Sequence, residues 1–273
     1  MSWISLSLTK CCEFIIRIDV TAVMKKIILA VFLCLPMALL AQDVGGIQNS
    51  VKSPEHRVAL LELYTSEGCS SCPPADRFLS GLKAEGISDQ QLIPMAFHVT
   101  YWDYIGWKDR FAKKQFDQRQ RQLASKNKQD TVYTPQFVFS GKDYRGVVSF
   151  SADLNQLVKQ RAKVDLELSA DKQRDKLQLH LKSDISRSKL KNVGFYFVLI
   201  ENNLSSDVRD GENEGVKLQH DYVVRKILGP YFQLENTQSI ELLPEWKKQD
   251  LSIVAIAEDP YTGEVLQAVR LPF

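Results

Sequence analysis

The stretch VALLELYTSEGCSSCPPADRFLSGLKAEG, residues 58–86, decides how the chain is read. It opens on VALLELYT (58–65), an apolar run of strand length. Beyond two prolines, Ala75, Phe78, Leu79 and Leu82 recur at i, i+3, i+4 and i+7, one apolar helix face, and Gly86 suits the C′ end. Cys69 and Cys72 fall at the handover from strand to helix. Proline lacks an N–H and restricts the residue before it, so regular helix is expected from about Pro73 or Pro74, with Ser70 and Ser71 in an irregular first turn. That puts Cys69 at or just before a helix N-terminus. Free N–H groups and the positive end of the helix dipole stabilise a thiolate there.

Working outward, LIPMAFHVTYW (92–102) reads as a second strand. KDRFAKKQFDQRQRQLASKN (108–127) reads as a polar helix with a thin edge of Ala112, Phe116, the Arg119 stem and Leu123. Runs 136–140 and 144–148 flank SGKD, a hairpin signal. SADLNQLVKQRAK (151–163) is a helix with Ser151 as its N-cap. The order β-α-β-α-β-β-α over 58–163 predicts an α/β domain, a mixed sheet with helices on both faces. From Val164 the texture changes to seven strand-like runs with period-two alternation: VDLEL, LQLHLKS, VGFYFVLIE, VKLQHDYVVRKI, SIELL, LSIVAIAE and EVLQAVRL. Turn-rich stretches separate them. This predicts an all-β immunoglobulin-like sandwich over 164–273, without that fold's disulfide.

The N-terminal stretch reads as export machinery. Met24-Lys25-Lys26 precedes an apolar run, Ile27 to Ala41, that is short for a membrane span and interrupted by Pro36. Residues 24–41 are expected to be a cleaved signal peptide, 1–23 a misplaced upstream segment, and 42–57 a linker. Of five cysteines only Cys69 and Cys72 then remain, an even pair suited to an oxidising compartment. Of 35 basic and 33 acidic residues, removing Lys10, Arg17, Lys25 and Lys26, and Glu13 and Asp19, leaves 31 of each. Zero net charge gives no electrostatic footprint for nucleic acid or an anionic membrane. A periplasmic or secreted protein with no stable membrane span is expected.

Three chemistries fit the cysteine pair. In dithiol–disulfide exchange Cys69 attacks and Cys72, one turn on, resolves the mixed disulfide. A soft-metal site would take Cys69, Cys72 and His98 as ligands; a zinc site wants four, and no second pair exists. A structural staple closing so short a loop removes little chain entropy. Glu62, seven residues before Cys69 and flanked by Leu61 and Leu63, reads either as a buried acid exchanging the Cys72 proton or as a strand-end acid reaching water. His98, Tyr101, Trp102, Asp103, Tyr104 and Trp107 crowd into ten residues. The aromatics read equally as a groove gripping an apolar client segment and as core anchors. DVRDGENEG (207–215), with Asp207, Asp210, Glu212 and Glu214, lacks calcium-loop spacing and reads as a solvated hairpin loop. His220 alternates with Val216, Leu218, Tyr222 and Val224 and reads as structural.

Thr134-Pro135 in YTPQF starts a strand, where a missing N–H is tolerated. With the element order and the cysteine pair, it resembles the thioredoxin superfamily. That resemblance implies a cis bond before Pro135, with Pro135 shielding the sulfurs and Thr134 pairing with a client backbone. LELYTSEGCSSCPPAD, YWDYIGWKDRFA, RQRQ, VYTPQ and GENEGVKLQHDYVVR together resemble a family of secreted bacterial thioredoxin-like proteins, domain of unknown function 1223, over nearly all of residues 58–273. The family implies a fold but no substrate. Gly68 stands where thioredoxins carry Trp, and no Gly-Pro separates the cysteines, which argues against strong reductase activity on thioredoxin's partners.

The expectation is an exported thiol–disulfide oxidoreductase acting on client proteins or small thiols, served by an unknown redox partner and needing no dissociable cofactor. Cys69, Cys72, Thr134, Pro135 and Glu62 would form its centre, with Tyr101, Trp102 and Trp107 as client contacts. The alternative is a non-catalytic envelope binding module carrying a soft metal on Cys69, Cys72 and His98.

Overall fold

The computed structural model describes residues 49–273. The expected upstream segment and signal peptide lie outside the described residues. No helix among the described residues is long and apolar enough to cross a membrane.

The described residues begin with β1 (Asn49–Lys52), inside the expected linker, and β2 (Ala59–Thr65), buried at every residue. Helix α1 (Pro73–Gly81) starts where the two prolines put it and ends a turn earlier than the sequence suggests, since Leu82–Gly86 forms turns. β3 (Leu92–His98) follows, then α2 (Lys114–Lys126), β4 (Gln136–Phe139), β5 (Lys142–Tyr144) and α3 (Phe150–Leu157). The second stretch holds β6 (Asp165–Gln173), β7 (Lys176–Asp184), β8 (Gly194–Glu201), β9 (Leu204–Asp207), β10 (Lys217–His220), β11 (Val223–Tyr231), β12 (Glu235–Glu241), β13 (Leu251–Glu258) and β14 (Val265–Pro272). The run expected as one strand over 216–227 is two. The chain turns at Tyr222, whose φ is +57°.

The expected fold class is overturned. An α/β domain with helices on both faces, followed by a separate sandwich, is not what forms. Strand outweighs helix, and one eight-stranded mixed sheet, ordered β14-β13-β8-β11-β3-β2-β4-β5, draws on both stretches. The seam is β3 beside β11: they run parallel with Val223 opposite Ala96, and the Ala96 N–H donates to the Tyr222 carbonyl at 2.8 Å. A four-stranded antiparallel sheet, β1-β6-β7-β12, and the two-stranded β10-β9 ribbon complete the sheets of the described residues.

The reason lies in β8 and β13, buried along their whole length. Successive side chains of a strand point to opposite faces. Tyr196, Val198 and Ile200 of β8 join the core of Leu60, Phe97, Phe116 and Leu79. Phe195, Phe197 and Leu199 join a second core with Leu168, Leu179 and Ile240 of the four-stranded sheet. A sandwich strand has one wet face; these have two dry ones.

An ion cluster crosses the same seam. Arg119 of α2 donates to Glu62 of β2 from Nε at 2.9 Å and from Nη2 at 2.6 Å, and from Nη2 to Glu258 of β13 at 3.2 Å. Lys126 donates to the other Glu258 oxygen at 2.8 Å.

Candidate functional site

Cys69 and Cys72 are joined in a disulfide, Cα atoms 5.4 Å apart, in the loop from β2 to α1. Local geometry carries the loop into the helix: the Cys69 N–H donates to the Ser66 carbonyl and the Cys72 N–H to the Cys69 carbonyl, both at 3.1 Å. Cys72, not Cys69, is the N-cap of α1, followed directly by Pro73 and Pro74. The helix dipole therefore acts first on Cys72, a correction to the sequence reading. Ser70 and Ser71 are exposed, while both cysteines have 0% exposure. The Cys69 sulfur lies 3.3 Å from Ser71 Oγ.

A buried polar framework grips this loop. The Glu67 N–H donates to Asp109 Oδ2 at 2.9 Å, and that oxygen also meets His98 Nδ1 at 2.6 Å. The Glu67 carboxylate accepts from Trp107 Nε1 at 2.8 Å and faces His220 Nε2 at 3.2 Å. Burial disfavours charge on His98, but the Asp109 carboxylate outweighs it and pushes the imidazolium pKa up. Asp109 is held below the ordinary carboxylate range: burial opposes this, and His98 overcomes it. Glu67 is likewise lowered, against burial, by its bond to His220.

The turn between β9 and β10 comes back across the cysteine loop. Asn213 Nδ2 donates to the Glu67 and Cys69 carbonyls at 2.8 and 3.0 Å, and the Ser70 N–H donates to Glu212 at 2.9 Å. The stretch expected to be a solvated loop thus buries Asn213 against the site.

The peptide bond between Thr134 and Pro135 is cis. Thr134 Oγ1 accepts from Trp102 Nε1 at 2.7 Å, and a Cβ built on Gly68 would lie 3.4 Å from Trp102 Cβ and 3.1 Å from Ile105. Trp102 therefore links the proline loop to the residue before Cys69, and glycine at 68 leaves room for it. Beside Pro135 lies an open groove of about 530 Å³, lined by Tyr133, Phe137, Tyr144, Arg145 and Val147.

The other expected residues divide. Trp107 tethers Glu67, whereas the Tyr101 hydroxyl donates to Gln120 of α2 at 3.1 Å, and Tyr104 stands exposed. Glu62 is buried and bonded to partners other than the cysteines. Its oxygens are taken by Arg119 and by the Tyr64 hydroxyl at 2.7 Å, because a buried carboxylate needs a cation and donors. His98 is committed to Asp109, and no group of three or more His, Cys, Asp and Glu among the described residues is spaced to hold a metal ion. The sequence reading passed over Glu67, Asp76, Asp109 and Asn213. Only Asp76, four residues beyond Cys72 on a helix, carried a local signal.

With this geometry in hand, comparison with known proteins adds a family. One described as a protein of unknown function (DUF1223) matches residues 60–258. No curated protein matches the chain. Among solved structures, a crystal structure of a protein from Agrobacterium tumefaciens is similar at 21% identity and a TM-score of 0.58, covering 80% of this chain and 96% of that one. HBP35 of Porphyromonas gingivalis is similar at 14% identity and a TM-score of 0.61, covering 81% and 76%. Identities this low speak to the fold alone.

Proposed function

The chain belongs to the DUF1223 family, and from that premise we propose that it is an exported thiol–disulfide oxidoreductase acting through Cys69 and Cys72 on protein or small-thiol disulfides. One observation carries the reading: a disulfide spanning two residues sits inside a buried framework of Glu67, His98, Asp109, Asn213 and His220. As a staple it adds little, since so short a loop has little entropy to lose. The secretory reading rests on residues 24–41, outside the described residues.

A client thiolate attacks Cys69 Sγ, the Cys69–Cys72 bond breaks, and its electron pair goes to Cys72 Sγ at the positive end of α1. A second client thiol then attacks the mixed disulfide. The client leaves oxidised and Cys69 and Cys72 are left reduced. Run backward, the same steps reduce a client. In this reading Trp102, packed where a Gly68 side chain would stand, borders the approach, and the groove beside Pro135 takes the flanking client segment. Both sulfurs are covered, and in this reading the Asp210–Asn213 turn, bonded to the Cys69 and Ser70 backbone, lifts to admit a protein client.

The test is a full-chain Cys72→Ala variant expressed with its leader. Cys69 should then capture clients as adducts that dissolve in dithiothreitol, and the unaltered protein should exchange with glutathione. Absence of adducts together with inertness to glutathione rejects the proposal.

A further inference from the structure

Asp76 is a buried carboxyl with one oxygen, Oδ1, that has no hydrogen-bond partner. Unpaired buried polar atoms are rare enough to need a reason. Two more lie close by: His98 Nε2 and His220 Nδ1, on rings whose centroids are 5.0 Å apart. The three come from α1, β3 and β10, so the tertiary fold gathers them. Asp76 follows Cys72 by one helical turn. Cys72 has helical backbone angles, and the Asp76 N–H donates to its carbonyl at 3.1 Å. Residues four apart on a helix share a face, with Cβ atoms about 5–6 Å apart. The Cys72 sulfur and the Asp76 carboxyl therefore lie on the same side of α1, toward the interior.

We propose that Asp76 is the proton donor and acceptor for Cys72 during disulfide exchange, with Thr65, His98 and His220 setting its state. This rests on the exchange reading above. As a client thiolate bonds to Cys69 Sγ, the electron pair of the Cys69–Cys72 bond goes to Cys72 Sγ, and the Asp76 carboxyl proton follows it. The products are a mixed disulfide, a Cys72 thiol and an Asp76 carboxylate. In the return step the carboxylate takes that proton, the Cys72 thiolate attacks the mixed disulfide, and the client sulfur leaves. The second proton of the full two-electron reaction is exchanged with solvent at Cys69.

The surroundings suit a group that must work in both directions. Burial pushes the Asp76 carboxyl up, while His220 and His98 favour its charged form, and Thr65 Oγ1 donates to Oδ2 at 3.3 Å. Asp109 adds a repulsion of the opposite sign. Glu67 lies behind His220, and Asp109 behind His98, so each imidazole is itself steadied by a carboxylate. Glu62 has no such freedom, being closed by Arg119.

The experiment measures reduction of the Cys69–Cys72 disulfide by dithiothreitol from acid to alkaline pH, in the full chain and in Asp76→Asn. The unaltered protein should show an inflection from the Asp76 carboxyl that Asp76→Asn lacks, with the variant slower by on the order of 10²-fold where the carboxyl is protonated. Glu62→Gln should keep the inflection. An unaltered protein that dithiothreitol cannot reduce defeats the exchange reading itself. An exchanging protein whose Asp76→Asn variant keeps the same pH profile overturns the Asp76 assignment alone. Should that variant not fold, redox-difference infrared spectra of the unaltered chain decide. Appearance of a carboxylate band at the expense of a carboxyl band on reduction supports the assignment, and no change in either band overturns it.

Discussion

Arg119 shows how much one residue can carry. It is buried, bonds two carboxylates from distant strands, and lies over the Tyr196 and Phe97 rings at 5.1 and 5.8 Å. Burial would lower its pKa, but Glu62 and Glu258 raise it well above the ordinary value. Arg119→Met keeps most of the packing and removes the charge, leaving Glu62 buried without its cation. The expected loss is about 3–5 kcal/mol, read as a lower urea midpoint with an unchanged slope. The His98–Asp109 pair gives a pH-dependent counterpart. The folded pKa of His98 is raised, so its contribution is complete below the unfolded value of about 6.5 and is lost as pH rises through the folded one. The folded pKa of Asp109 is lowered, so its contribution is present above about 3.8 and is lost as pH falls through the folded value. Asp76, pushed up by burial, adds a loss that sets in as pH rises above its unfolded value of about 3.8 and is complete above its folded one. Thermal midpoints should therefore fall from mildly acidic to alkaline pH, and the gap between the unaltered protein and His98→Gln should narrow over that range.

Among the elements, the β9–β10 hairpin shapes the site most, because its turn reaches the cysteine loop with three hydrogen bonds. Asn213→Ala removes two of them. One net hydrogen bond is worth about 1 kcal/mol, a factor of about five, so reduction by dithiothreitol should speed up by at least that factor. An unchanged rate would mean that the turn does not limit access. A different constraint holds the hairpin of β4 and β5: Gly141 has φ +91°, and a Cβ there would meet the Gly263 carbonyl at 1.8 Å. Gly141→Ala must push two turns apart and should cost about 1–3 kcal/mol in the same denaturation assay. These contacts explain what the sequence could and could not disclose. The strand before the cysteines, the helix after the prolines and the Thr134-Pro135 strand start are local patterns, and each was legible. The partners of the cysteine loop were not, because Asp109 lies 42 residues from Glu67, Asn213 lies 144 from Cys69 and His220 lies 153 from Glu67. Nor could alternation reveal that VGFYFVLIE is covered on both faces, since a run dry on both sides reads the same in a sandwich and in the middle of a wide sheet.

For the whole molecule, the decisive feature is that one sheet separates two cores and belongs to both. Its odd-numbered β8 residues face the four-stranded sheet and its even-numbered ones face the α1 and α2 side. Neither core can lose its cover without exposing the other face of the same strands, so the two should unfold together. Tryptophan reports each separately: Trp102 packs against the first core and Trp246 is buried in the second. Urea unfolding followed by fluorescence in Trp246→Phe and in the double variant Trp102→Phe with Trp107→Phe should each give one transition, with a slope near that of the parent and no intermediate plateau. A fragment ending at residue 163 should fail the same assay. It would leave the β3 edge unpaired where β11 belongs, and it would strip Tyr196, Val198, Ile200, Val254 and Ile256 from the core around Phe97. A fragment that unfolds cooperatively, or two separated transitions in the full chain, would instead mean that the seam between β3 and β11 joins two folding units and does not make them one.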